Sequence, residues 1–233
     1  MKYTWLLFDI DGTLLDMEKS EKNALEKTFR QIGYKFELHY LDELRTISDQ
    51  LSKDFKNGVI SMEKIKTLRF ELLLAAIEIH FDPQELSEKY MTNFSDCAYL
   101  INGSEEVLKS LQKKFSIALI SNGFEEAQKS RIEKSRINRY IKEIVVSDVA
   151  GEAKPNMKIF DFAFKLMNNP RKSEVLIIGD SLTSDIQGGI NYGIDTCWYN
   201  PKKKTNNLTI TSNFEIQTLS ELPVILNEES MYT

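Results

Sequence analysis

Two aspartates stand one residue apart in Asp9-Ile10-Asp11-Gly12-Thr13, directly behind a short apolar run. Carboxylates at i and i+2 of an extended segment point the same way, and Gly12 lets the chain turn sharply behind them. Such a carboxylate can attack phosphorus only if its own charge and that of the phosphate are both neutralised. The second carboxyl can then exchange a proton with the leaving group. The plainer alternative is a strand-to-turn exit, where Asp-Gly is common. The spacing also resembles the start of an EF-hand loop, but the later ligands are missing and a strand-like run precedes it.

Three further clusters could complete this chemistry. Ser121-Asn122-Gly123 offers a hydroxyl, an amide and backbone N–H groups, which make either a neutral cradle for phosphate oxygens or a plain helix N-cap. Lys154-Pro155 could supply the positive charge that a dianionic phosphate and an aspartate nucleophile both need, or be a surface loop. Asp180, in Gly179-Asp180-Ser181-Leu182-Thr183-Ser184-Asp185, follows a wholly apolar run, where a carboxylate is costly unless it meets a cation. Mg²⁺ suits it, taking few carboxylates together with waters and a phosphate oxygen. Asp185 could stand behind the metal, holding its waters, or simply favour a helix dipole; both readings stay open.

The elements that must position these residues are legible as runs. Residues 4–8 are β-branched, aromatic or leucine without alternation, the pattern of a strand buried on both faces. The pattern returns at Ile117-Ala118-Leu119-Ile120, Ile144-Val145-Val146 and Val175-Leu176-Ile177-Ile178, and more weakly at Thr196-Cys197-Trp198-Tyr199. Helical patterns lie between them, from Glu105 to Lys113, Glu125 to Lys134, Lys158 to Leu166 and Asp185 to Tyr192. Alternating strands and helices imply a doubly wound, Rossmann-like α/β core with a parallel sheet. All four clusters then fall at the C-terminal ends of strands, where open α/β sheets bind ligands.

Residues 17–96 carry no strand-like run. Ala24, Leu25, Thr28, Phe29 and Ile32 share one helical face, and Leu44, Ile47, Leu51 and Phe55 share a second. Asn57-Gly58 breaks the pattern, Ile65, Leu68, Leu72 and Ile79 recur in a third helix, and Leu86, Tyr90 and Phe94 mark a fourth. The reading is a core of residues 1–16 and 97–233, with a small helical domain of residues 17–96 inserted after the first strand.

Bulk properties narrow the partners. The chain has 233 residues and a net charge of −5, from 30 Lys+Arg against 35 Asp+Glu. Mild acidity with interspersed signs argues against a nucleic-acid polymer or an anionic membrane, and leaves room for a small anionic substrate. Cys97 and Cys197 lie far apart without a Cys-x-x-Cys, and with only His39 and His80 they suggest free thiols rather than a zinc site. The run Trp5–Phe8 is too short for a signal peptide and no apolar stretch approaches a membrane span, so a cytoplasmic protein is expected. Pro201-Lys202-Lys203-Lys204 reads as a solvated loop.

Taken together, DIDGT at 9–13, SN at 121–122, KP at 154–155 and GDSLTSD at 179–185 resemble the four motifs of the haloacid dehalogenase superfamily, in its phosphatase branch. The resemblance covers the whole chain, and residues 17–96 correspond to its inserted four-helix-type cap. It implies that Asp9 is the nucleophile and a magnesium ligand. Asp11 would be the general acid/base, with its backbone carbonyl on the metal and Thr13 supporting it. Ser121 and Lys154 would hold the phosphoryl group with Thr13 and Asn122, and Asp180 would complete the metal site, backed by Asp185. Dehalogenating members lack the second aspartate, so Asp11 argues for phosphate chemistry. SNGF at 121–124, KPNMKIFDFA at 154–163 and GDSLTSDIQGGINYGIDTCWYN at 179–200 are also similar to bacterial YjjG-type nucleotidases. Gly12 stands where some of these carry a glutamate. The expected substrate is therefore a small phosphate monoester, a pyrimidine nucleoside 5′-monophosphate. Phosphoglycolate or sugar-phosphate phosphatases and phosphomutases of the same superfamily are the alternatives, with a non-catalytic binding scaffold behind them. Monomer and homodimer are both left open.

Overall fold

The computed structural model describes residues 2–228. Six parallel strands form one sheet: β1 (Trp5–Phe8), β2 (Ser116–Ser121), β3 (Glu143–Val146), β4 (Val175–Gly179), β5 (Asp195–Tyr199) and β6 (Phe214–Ile216). Their order is β3-β2-β1-β4-β5-β6, so the winding reverses between β1 and β4. That reversal opens the crevice in which doubly wound sheets place ligands.

The strands read as unbroken apolar runs because both faces of the sheet are covered. Leu6, Phe8, Ile117, Leu119, Leu176 and Ile178 enter one core together with Val107, Leu108, Leu222 and Leu226. Their alternates Leu7, Ala118, Ile120, Val175 and Ile177 enter the other, against Ile159, Phe160, Ala163 and Phe164. The first core is closed by α5 (Ser104–Leu111) and α10 (Leu222–Glu228), the second by α8 (Met157–Leu166). Between these elements lie α6 (Glu125–Lys134), α7 (Ser147–Ala150) and α9 (Gln187–Tyr192). Truncating any such fully buried leucine to alanine costs about 2–5 kcal/mol.

Several elements differ from the sequence reading, which names neither α7 nor α10. β6 was not anticipated, being three residues long with Glu215 at its centre. Residues Leu182–Ile186 form a π-turn before α9 rather than the first turn of one helix from Asp185. Cys97 and Cys197 are free thiols, as expected. Among the described residues no helix is long and apolar enough to cross a membrane.

Met17–Ala98 form a separate compact unit of four helices: α1 (Met17–Gln31), α2 (Leu38–Lys56), α3 (Met62–Ala76) and α4 (Pro83–Ser95). Within it α1 packs on α4, α2 on α3, and α3 on α4. Asn93 of α4 donates to Thr28 Oγ1 and Gln31 Oε1 of α1, and Phe70 and Tyr90 join α3 to α4. The face assigned to α3 is corrected. Its buried residues are Ile65, Phe70, Leu73 and Leu74, whereas Leu72 is 41% exposed and Ile79 lies beyond the helix end. Residues 72–77 are apolar throughout, so spacing alone does not set the phase of this helix.

Candidate active site

Strand register decides which side chains meet. Phe8 pairs with Leu119 on one side and Ile178 on the other, so β1, β2 and β4 end nearly level. Asp9 follows Phe8 and its N–H is bonded to the Ile178 carbonyl at 2.9 Å. Asp180 follows Gly179 at the end of β4. A Cβ at Gly12 would lie 2.9 Å from the Asp180 carboxyl carbon, so the turn after β1 runs directly against that carboxylate. Trp198, paired with Gly179 across the β4–β5 ladder, donates its indole N–H to the Asp180 carbonyl at 3.0 Å.

Lys154 reaches this edge from the loop before α8. Its Nζ is 2.6 Å from Asp9 Oδ1, 2.7 Å from Asp185 Oδ1 and 2.9 Å from the Ile120 carbonyl. An ammonium has three protons, and all three are used. Lys154 is 2% exposed and Asp9 6%, so the pair is held in a dry setting where charge interactions are strong. Asp185 is buried as well, and its second oxygen accepts from the Ser181 N–H at 3.0 Å. Of its two sequence readings, dipole partner or support for the centre, this geometry adds a third element: Asp185 fixes the lysine.

Two further side chains are tied into this edge. Asn122 Oδ1 accepts from the Lys154 N–H at 2.7 Å and Asn122 Nδ2 donates to the Lys154 carbonyl at 3.0 Å. Both ends of its side-chain amide are thus engaged by the lysine backbone. Thr13 Oγ1 donates to Asp9 Oδ2 at 3.1 Å and thus orients Asp9 rather than Asp11. Asp11 instead faces α6. Its Oδ1 accepts from Arg131 Nη1 at 2.6 Å and its Oδ2 from Gln128 Nε2. Gln128 also donates to Ser121 Oγ at 2.8 Å. Gln128 and Arg131 were not singled out in the sequence. The signal existed: with Ala127 and Ile132 they occupy one face of α6 at i, i+1, i+4 and i+5, which is the buried face.

The electrostatics of this edge favour a cation. Oxygens of Asp9, Asp180 and Asp185 all lie within 4.8 Å of one another. Burial, then Asp185 and Asp180, push the Asp9 carboxyl well above its ordinary range, against the pull of Lys154. Asp180 is pushed up to about 6 by burial and by Asp185, with Lys204 and Lys154 opposing. Burial works against the Lys154 ammonium, but Asp185 and Asp9 outweigh it and hold the lysine charged. Were all three carboxylates ionised, one ammonium would leave two negative charges uncompensated, which is why burial and the neighbouring carboxylates together push Asp9 and Asp180 toward their protonated forms. An all-oxygen donor set with that deficit fits a hard divalent cation.

A carboxylate thus stands at the reversal of a doubly wound sheet, charge-paired to a buried lysine. The chain belongs to the haloacid dehalogenase-like hydrolase family, which it matches over residues 6–199. It is 34% identical to the HAD-hydrolase YfnB of Bacillus subtilis, over 98% of this chain and 97% of that protein. The magnesium-bound crystal structure of YfnB superposes with a TM-score of 0.89, at 33% identity, covering 97% of this chain and 100% of that one. The pyrimidine 5′-nucleotidase YjjG of Escherichia coli is 31% identical, over 97% of this chain and 99% of its own length. The pyrimidine 5′-nucleotidase PynA of Streptococcus pneumoniae is 30% identical, over 95% and 94%.

Proposed function

We propose that this hydrolase is a magnesium-dependent phosphatase that transfers the phosphoryl group of a nucleoside 5′-monophosphate to Asp9 and then to water. The observation that carries the reading is the single Lys154 ammonium bridging Asp9 and Asp185 beside Asp180. Asp9 and Asp180, with the Asp11 backbone carbonyl, would hold Mg²⁺, Asp185 standing behind them. The bound ion would supply charge neutralisation to the phosphoryl oxygens.

An oxygen of Asp9 attacks phosphorus in line with the ester bond, forming an aspartyl phosphate as the bond to the leaving alkoxide breaks. Lys154 offsets the negative charge that the nucleophile and the phosphoryl group bring together, and Thr13 holds the Asp9 carboxylate to one rotamer. Ser121 at the end of β2 gives a hydroxyl to the phosphoryl oxygens. Asp11, which must enter the cycle protonated, gives that proton to the departing alkoxide. It then takes a proton from the water that attacks the aspartyl phosphate, releasing inorganic phosphate and restoring both carboxyls. Residues 17–96 serve as the cap that selects the substrate.

The pyrimidine nucleotide assignment is supported by YjjG and PynA, both pyrimidine 5′-nucleotidases related along nearly the whole chain. A cytoplasmic location accords with two free, buried thiols. The test is a panel of UMP, dUMP, dTMP, purine monophosphates, phosphoglycolate and hexose phosphates, assayed by phosphate release with Mg²⁺. Pyrimidine nucleotides are expected to give the highest kcat/KM. A clear preference for phosphoglycolate or a hexose phosphate overturns the nucleotidase reading.

A further inference from the structure

The Asp11 carboxyl is held by two side chains that belong to neither end of the phosphate chemistry. Arg131 is fully buried, and its Nη1 donates both to Asp11 Oδ1 at 2.6 Å and to Gln128 Oε1 at 3.0 Å. A guanidinium is only a donor, so the glutamine oxygen must face it. The Gln128 amide nitrogen is thereby turned to two acceptors, Asp11 Oδ2 and Ser121 Oγ, and both its protons are used. Gly123 allows this: a Cβ there would lie 2.8 Å from Gln128 Nε2. Ser121, accepting from Gln128, keeps its own proton free to point elsewhere.

We propose that Gln128 and Arg131 are positioning residues that fix the Asp11 carboxyl in one orientation and aim the Ser121 hydroxyl proton at the substrate's phosphoryl oxygens. The inference rests on Asp11 acting as general acid. One turn of α6 would then set both the proton donor for the leaving group and a hydroxyl donor for the group transferred. Gln128 is the joint between them.

A misaimed acid matters in proportion to how much proton the leaving group needs. A nucleoside alkoxide needs one; p-nitrophenolate leaves without help. In Gln128→Met, which keeps side-chain volume but removes both donors, kcat/KM reports the steps up to aspartyl-phosphate formation and so leaves out the later role of Asp11 as base. It should fall by about 30-fold or more for UMP, and for p-nitrophenyl phosphate by about threefold at most, the share left to the Ser121 hydroxyl. Arg131→Lys, which retains a cation at Asp11, should fall in between for UMP. Asp11→Asn is the control. If it discriminates between the two substrates while Gln128→Met, melting like the parent enzyme, slows both equally, the positioning inference fails and the acid assignment stands. If Asp11→Asn itself shows no discrimination, the acid assignment fails.

Discussion

The carboxylate of Asp185 occupies the space that a side chain on Gly179 would need: a Cβ there would lie 2.3 Å from Asp185 Cγ and Oδ2. The last residue of β4 is thus bare so that a carboxylate from the following turn can fold back over the strand end and meet Lys154. A flexible chain tip could yield, but Asp185 is buried and bonded at both oxygens, so it has nowhere to go.

Gly179→Ala should therefore act through Lys154. Displacing Asp185 strips the ammonium of one of its two carboxylates. We expect a stability loss of about 1–3 kcal/mol and a kcat drop of about tenfold or more. Thermal melts and steady-state kinetics test this, and a variant matching the parent in both would contradict the described packing.

Lys154→Met should abolish most turnover, by about a hundredfold or more, because no other cation donates to Asp9 in the described contacts. It also leaves Asp9 and Asp185 facing each other without their ammonium. Removing one partner from buried ion pairs costs about 3–5 kcal/mol. Near-normal phosphate release from this variant would remove Lys154 from the chemistry.

Asn122 gives a graded test. Asn122→Ala loses both bonds to the Lys154 backbone, about 1–3 kcal/mol in stability, while Asn122→Asp keeps the acceptor and loses only the donor. The expected ranking in kcat is parent, then Asp, then Ala, with KM little changed. A rise in KM alone would point back to direct phosphate binding by the amide.

Metal dependence should carry a pH signature. In the metal-free protein the Asp180 carboxyl titrates near 6, above its usual value, so the folded state gains a proton before the unfolded chain does. This group therefore makes the metal-free fold more stable as pH falls through about 6, and less stable above it. Mg²⁺ binding must displace that proton. The Mg²⁺-induced rise in Tm should accordingly be large at pH 7.5 and small at pH 5, and EDTA should silence turnover reversibly. A Mg²⁺ effect that grows on acidification would be incompatible with Asp180 as a ligand.

Much of this edge was legible because the physics that sets it is local or repetitive. Apolar runs buried on both faces announced β1, β2 and β4, and Asp9 and Asp180 stand directly behind two of them, where a carboxylate calls for a cation. What escaped depends on partners distant in sequence. The Asn122 side-chain amide grips the backbone of Lys154, in a loop 32 residues away. Thr13 turns to Asp9 rather than Asp11, and Asp11 pairs with Arg131, 120 residues away. β6 escaped because three residues with a central glutamate carry no periodicity. The phase of α3 escaped because residues 72–77 are apolar on every side.

The most direct test of the central claim is to catch the phosphoryl group on the protein. Acid quenching during UMP turnover, reduction with borohydride and peptide mapping should find the reduced aspartate at position 9 in the parent enzyme and nowhere in Asp9→Asn, which should also release no phosphate. Phosphate release that persists in Asp9→Asn, or a trapped group at any other side chain, would contradict the assignment of Asp9 as nucleophile.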